Sequence, residues 1–166
     1  LGPDLISEVN NPGCPWLKET YTDAELVNRA KRNDNNIEKL IEIANNYSDV
    51  INAVSVGNEN TPKWGANNVP VERLIKFADR LREGTGKPVT FNEGAFEWVE
   101  LEELAKHLDI ISVHSYPLWY GNTVEEALEV NKTWYKKIKE MYPDKFVLFS
   151  EVGWATDCAD FKQMKE

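Results

Sequence analysis

Four glutamates stand at the ends of short apolar runs: Glu8 after "DLIS", Glu59 in "VSVGNE", Glu93 in "VTFNE" and Glu151 in "LFSE". Each keeps company that a simple turn would not need. Asn10 and Trp16 follow Glu8, Asn58 and Trp64 flank Glu59, Asn92 and Trp98 flank Glu93, and Trp154 follows Glu151. A further run, "DIISV", leads into His114, Tyr116, Trp119 and Tyr120. Paired carboxyl groups can move a proton and attack a carbon at once. Cleavage of a glycosidic bond with retention uses two of them about 5–5.5 Å apart, one protonating the departing oxygen and one attacking the anomeric carbon. The aromatic rings suit the same ligand class, because the C–H face of a pyranose stacks on a ring while its hydroxyls need polar partners. Any single tryptophan is as often packing as platform. Five of the six follow an apolar run, however, and only Trp134 falls in a helical pattern.

The elements that must position these groups alternate. Apolar runs at 5–9, 50–56, 88–91, 109–116 and 145–150 read as strands covered on both faces. Between the first two, Ile37, Leu40, Ile41, Ala44 and Tyr47 repeat at helical spacing. A second helix starts near Pro70, carries Val71, Leu74, Ile75, Ala78 and Leu81, and stops at "GTG". A short helix holds Leu101, Leu104 and Ala105, and a long one from about Thr123 turns Val124, Ala127, Leu128, Trp134, Tyr135, Ile138 and Met141 inward. Strands alternating with helices imply right-handed crossovers and a parallel sheet, in one α/β domain over residues 1–166. Order alone does not separate a closed barrel from an open sheet. In either, the strand exits share the ligand-binding face.

Barrel geometry ranks the glutamate pairs. Strands ~4.8 Å apart and tilted ~36° in an eight-stranded barrel give a radius of roughly 7–8 Å. Exits three strands apart are then about 14 Å apart, and two side chains reaching inward by about 4 Å each leave roughly 6 Å. Glu59 and Glu151 stand three runs apart, Glu93 and Glu151 two, and Glu8 and Glu59 one, which favours the first pair.

The net charge of −9, spread along the chain, offers no basic stripe for nucleic acid or an anionic membrane. No apolar run reaches membrane-spanning length. Cys14 and Cys158 lack metal-ligand spacing and read as two free thiols. "REGTG" follows a helix rather than a strand, so no phosphate-binding loop is expected. His107, at a helix end, reads as a solvated cation. The opening "LGPDLISEV" has no leader-like character, and the final "DFKQMKE" reads as an interrupted helix, so both ends are expected to be cuts.

The motifs "VSVGNE", "DIISVHSYPLWYG" and "LFSEVGWAT", in this order, resemble glycoside hydrolase family 17, and "KPVTFNEGAFEWVELEELAKHLDIISVHSYPLWYGN" resembles its bacterial branch. The resemblance covers about residues 1–157. It implies part of a (β/α)8 TIM barrel acting on β-1,3-linked glucan by hydrolysis or glucanosyl transfer. Glu59 would be the general acid/base and Glu151 the nucleophile. Asn58 would bind the sugar's 2-hydroxyl, and His114 and Tyr116 would stand beside the nucleophile. Glu93 would contact substrate or support the site, and Trp119 and Trp154 would be sugar platforms, with Trp64 and Trp98 weaker ones. No metal or cofactor is implied, and a secreted or envelope location follows only from the substrate class.

The chain departs from the family in size. Its five runs correspond to strands three to seven, whereas a complete barrel takes about 250 residues. Exposed sheet edges are therefore expected, to be covered by the remainder of a longer chain or by self-association. A non-catalytic carbohydrate-binding part-barrel is the alternative of another class.

Overall fold

The structure is a computed structural model and describes residues 1–155. Its centre is a four-stranded sheet of β1 (Val54–Asn58), β2 (Val89–Gly94), β3 (Ile110–Ser115) and β4 (Phe146–Val152), paired in chain order and all parallel. Helices α1 (Asp23–Asn46), α2 (Val71–Thr85), α3 (Glu102–Lys106) and α4 (Ala127–Met141) fill the connections, with short 3₁₀ turns at Glu97–Glu100 and Pro117–Tyr120. This is the partial (β/α) barrel architecture that alternating runs and helices require.

Val54, Val56, Val89, Phe91, Ile111 and Val113 are fully buried, as strands covered on both faces must be. Leu74, Phe77, Ala78 and Leu81 of α2 and Ile37, Leu40 and Ala44 of α1 close over the outer face of the sheet. Thr22 caps α1 in a capping box: its hydroxyl accepts from Glu25 N–H at 3.4 Å, and Glu25 Oε2 accepts from Thr22 N–H at 2.8 Å. α2 ends where Gly86 takes a left-handed φ of 64° and its N–H reaches Arg82 O.

Two expectations change. Residues 5–9 form no strand, although Leu5 and Ser7 are buried as a strand's would be. Their backbone groups are satisfied elsewhere. Ile6 N–H donates to Asn33 Oδ1 and Ile6 O accepts from Asn33 Nδ2, while Glu8 N–H reaches Asn68 O. Only Leu1 touches β1, accepting from Ser55 N–H at 2.7 Å. Second, α4 does not turn its whole apolar set inward. Ile138 is buried and Trp134 and Met141 pack on the core, but Val124 and Leu128 are 59% and 63% exposed and Tyr47, after α1, is likewise exposed. β4 shows the same exposure, with Phe146 at 65% and Val152 at 55%. Among the described residues β4 has one neighbouring strand, so its outer flank has nothing to pack against.

Candidate active site

The sheet carries two irregularities, and each precedes a glutamate. Between β1 and β2 the register runs from Ser55↔Thr90 to Asn58↔Asn92, and between β3 and β4 it runs from Val113↔Phe149 to His114↔Glu151. One extra residue in β1 and one in β4 thus bulge out, which bends the strand and re-aims the side chain that follows. Glu59 adds a backbone φ of 49°, a left-handed value that a residue with a side chain adopts only under constraint. The constraint is visible. Glu59 N–H donates to Asn92 O, and buried Asn60 accepts from Asn58 N–H while donating to Asn67 O. Asn68 and Asn11 tie the same loop down further, through Pro62 O, Lys63 O and Gly65 O.

These distortions make the two glutamates converge on β3. His114 there is 2% exposed; its Nδ1 lies 2.9 Å from Glu59 Oε1 and its Nε2 3.4 Å from Glu151 Oε1. A carboxylate only accepts, so with Glu59 ionised the Nδ1 position carries the proton of that bond. Nε2 has the proximity of an ion pair with Glu151 without the alignment of a hydrogen bond. Tyr116 O–H donates to Glu151 Oε2 at 2.5 Å, and the carboxylate beside it pushes the phenol up to about 12. Gly153 makes room for that ring: a Cβ there would stand 2.5 Å from Tyr116 Cε1. One ligating atom each from Glu59, His114 and Glu151 lie within 4.8 Å of one another, although β1 and β4 are the two outer strands of the sheet. Three strand spacings of a flat sheet measure about 14 Å, so the sheet must curl as a barrel wall does. The same oxygen and nitrogen set has the donor chemistry to hold a divalent cation.

A cavity of about 630 Å³ opens over this cluster, walled by Trp16, Trp64, Trp119 and Tyr120 and floored by Glu59, His114 and Glu151. Tyr116 and Glu97 also line it. Trp16 and Trp64 meet with ring centroids 6.1 Å apart. Asn58 is exposed beside Glu59 but does not line the cavity, and Trp154, 37% exposed, lies outside it.

Two residues go elsewhere. Trp98 is fully buried, stacked edge-on to Phe91 and Tyr142, with its indole N–H on Ser112 O; it is core, not platform. Glu93 is also fully buried and cannot touch a ligand in this arrangement. Its oxygens accept from Thr61 N–H, Thr61 O–H and Gly94 N–H. Burial nevertheless pushes it up to about 8, since three donors only partly replace water. Glu8 is engaged by Arg73 at 2.7 Å and by Asn33, and His107 by Asp79 at 2.8 Å. Cys14 is a buried free thiol, and Cys158 lies outside the described residues.

Reading strand exits alone passes over Glu97. It sits in the 3₁₀ turn after β2, half-buried, and burial together with the charges of Glu59 and Glu100 pushes its carboxyl above the usual range. Its sequence signal is slight: a second acid three residues beyond "NEG".

Residues 20–165 match the model of the BtgE/BtgC glycoside hydrolase domain. No curated protein matches the chain significantly. Among solved structures it is similar to a glycoside hydrolase family 17 β-1,3-glucanosyltransferase from Rhizomucor miehei, at 24% identity and TM-score 0.62 over 74% of this chain and 46% of that one. An active-site mutant of the same enzyme in complex with laminaritriose aligns at 23% identity, TM-score 0.62 and the same coverage. A Ruminococcus gnavus β-glucuronidase aligns at 20% identity and TM-score 0.61 over 86% of this chain and 25% of its own. The chain therefore spans less than half the length of each, and at these identities the likeness concerns the fold. The match over most of the chain, on a barrel wall whose strand exits gather carboxylates under aromatic rings, places it in the BtgE/BtgC glycoside hydrolase domain family.

Proposed function

We propose that the chain carries the catalytic pair of a retaining glycosidase acting on β-1,3-linked glucan, with Glu59 as general acid/base and Glu151 as nucleophile. The observation that carries the reading is the convergence of Glu59 and Glu151, 92 positions apart in the chain, on the buried ring of His114 with their nearest atoms inside 4.8 Å. That separation leaves no room for a water between the carboxyls, the arrangement inversion would need, and approaches the spacing of retaining pairs, about 5–5.5 Å.

In this reading Glu151 attacks the anomeric carbon as Glu59 gives its proton to the departing glycosidic oxygen. A glycosyl ester on Glu151 results, and the leaving sugar departs with a new hydroxyl. Glu59, now ionised, takes a proton from an incoming hydroxyl, which displaces Glu151 and restores both groups. Tyr116 holds the attacking carboxylate by its 2.5 Å bond, and Trp119 and Trp16 offer faces for the sugar rings. Asn58, at the cavity's rim, is the candidate partner of the 2-hydroxyl, and Trp154 a more distant platform.

The incoming hydroxyl belongs to water in a hydrolase and to a second sugar chain in a transferase. The likeness to a β-1,3-glucanosyltransferase, one structure of which holds laminaritriose, favours the second, with an oligosaccharide as both donor and acceptor. Incubation of the full-length protein with a defined laminari-oligosaccharide separates the outcomes. Products longer than the substrate mean transfer, only shorter ones mean hydrolysis, and saturable binding with neither overturns catalysis in favour of a carbohydrate-binding part-barrel.

A further inference from the structure

The catalytic cavity does not end at Glu59. Trp64 and Glu97 line it and also line a second cavity of about 400 Å³ that continues past Thr61 and Lys63. Within this shared wall Glu97 is unusual. It is half-buried, yet among the described residues its carboxylate makes no hydrogen bond or ion pair to another residue. Gly94 supplies the space for it, since a Cβ at that position would collide with Glu97 Oε2. A carboxylate only accepts, and burial without a donor is unfavourable, so the group is suited to a ligand that brings donors. A pair of vicinal sugar hydroxyls does so, and Trp64, 46% exposed beside it, offers the flat face that a pyranose needs.

We infer that Trp64 and Glu97 form a sugar-binding subsite on the leaving-group side of Glu59, occupied by the departing sugar and then by the incoming acceptor. The side follows from the chemistry. Glu59 protonates the glycosidic oxygen, so what lies beyond Glu59, away from Glu151, faces the aglycone. Glu97 is the carboxylate whose field reaches Glu59, and the second cavity opens on that flank. The inference rests on the acid/base assignment of Glu59.

The test compares two substrates with one glycone. In the full-length protein, kcat/KM is measured for laminaritetraose and for 4-nitrophenyl β-laminaribioside, whose aryl group brings no sugar to the leaving-group side. The ratio of the first to the second is expected to fall at least about tenfold in both E97Q and W64A, the size of a lost hydrogen bond to a charged group or of a lost stacking face, with KM for the tetrasaccharide rising. The aryl substrate also reports that each variant is folded. An unchanged ratio overturns the subsite, and so does an equal loss on both substrates, which would put Glu97 in the reaction centre or the fold. Failure of the unaltered protein on both compounds would instead remove the glycosidase reading itself.

Discussion

Glu59 and Glu151 face each other over one histidine, but the walls behind them are built differently. Glu59 leaves β1 in a strained conformation that Asn60, Asn92 and Asn68 hold in place, and the buried Glu93 ties the same loop to β2 through Thr61. Glu151 sits on β4, whose outer flank is open among the described residues, and Tyr116 is its one hydrogen-bond partner there. Its side chain is 40% exposed against 31% for Glu59. A proton donor must be placed to a fraction of an ångström against a glycosidic oxygen, and the side of the molecule that does this is complete within the chain. The nucleophile's side depends on one phenol and on whatever covers β4.

The sharpest way to break the comparison is to remove each carboxylate. E59Q is expected to slow turnover about 10²–10⁴-fold, the range of general acid–base catalysis, and E151Q to lose at least as much because no ester forms. Added azide should restore glycoside cleavage in E59A with retained configuration and in E151A with inverted configuration. The same anomer from both variants would break the assignment of unlike roles. Next in size, Y116F deletes the support of Glu151. A hydrogen bond to a charged group is worth about 1.5–3 kcal/mol, so kcat should fall about 10–150-fold with little change in KM. Steady-state kinetics on an oligosaccharide checks it, and a change confined to KM would show that Tyr116 touches substrate instead.

Much of this asymmetry was legible in the sequence, and what was not has physical reasons. Strands buried on both faces leave apolar runs, so 50–56, 88–91, 109–116 and 145–150 could be found, and helical spacing located α1, α2 and α3. Residues 5–9 carry the same apolar signal. Whether their amides meet a ladder or a side chain depends on Asn33, which no local pattern reveals. For α4 the period marked an apolar stripe, but exposure of Leu128 depends on neighbours, not on period. In the site, Glu59, His114, Tyr116 and Glu151 could be placed at strand exits. The two bulges that aim the glutamates, the inward turn of Trp98 and the burial of Glu93 are tertiary facts, and Glu97 was hidden because it lies one turn past its strand.

The locked wall yields a pH prediction. Burial raises Glu93 in the folded protein to about 8 from the model value of 4.5. Between those two values the unfolded chain releases a proton that the folded one keeps, so stability falls as pH rises through this window and levels off above it. E93Q has no such proton to release, so its own stability should lose that slope. Gln also offers one acceptor oxygen where three donors converge, so at pH 5 the variant should be less stable by about 1–3 kcal/mol. Denaturation of both proteins across pH 5–9 checks the two parts together. A slope shared by E93Q would assign the pH dependence to another group.

The smallest expected effect bears most directly on the open side. Val54 on β1 is fully buried and Val152 on β4 is 55% exposed, so the same change to threonine asks the same question of both walls. At Val54 the new hydroxyl enters an apolar interior and should cost about 1–3 kcal/mol. At Val152, with nothing packed against it, the change should stay within about 0.5 kcal/mol. Urea midpoints of the two variants measure the difference, and the mass of the folded chain in solution gives it meaning. A monomer with an indifferent Val152 has the bare β4 flank described here, leaving Glu151 to rely on Tyr116. A dimer in which Val152→Thr costs as much as Val54→Thr would mean that a second copy covers β4 and that the nucleophile's wall is built between two chains.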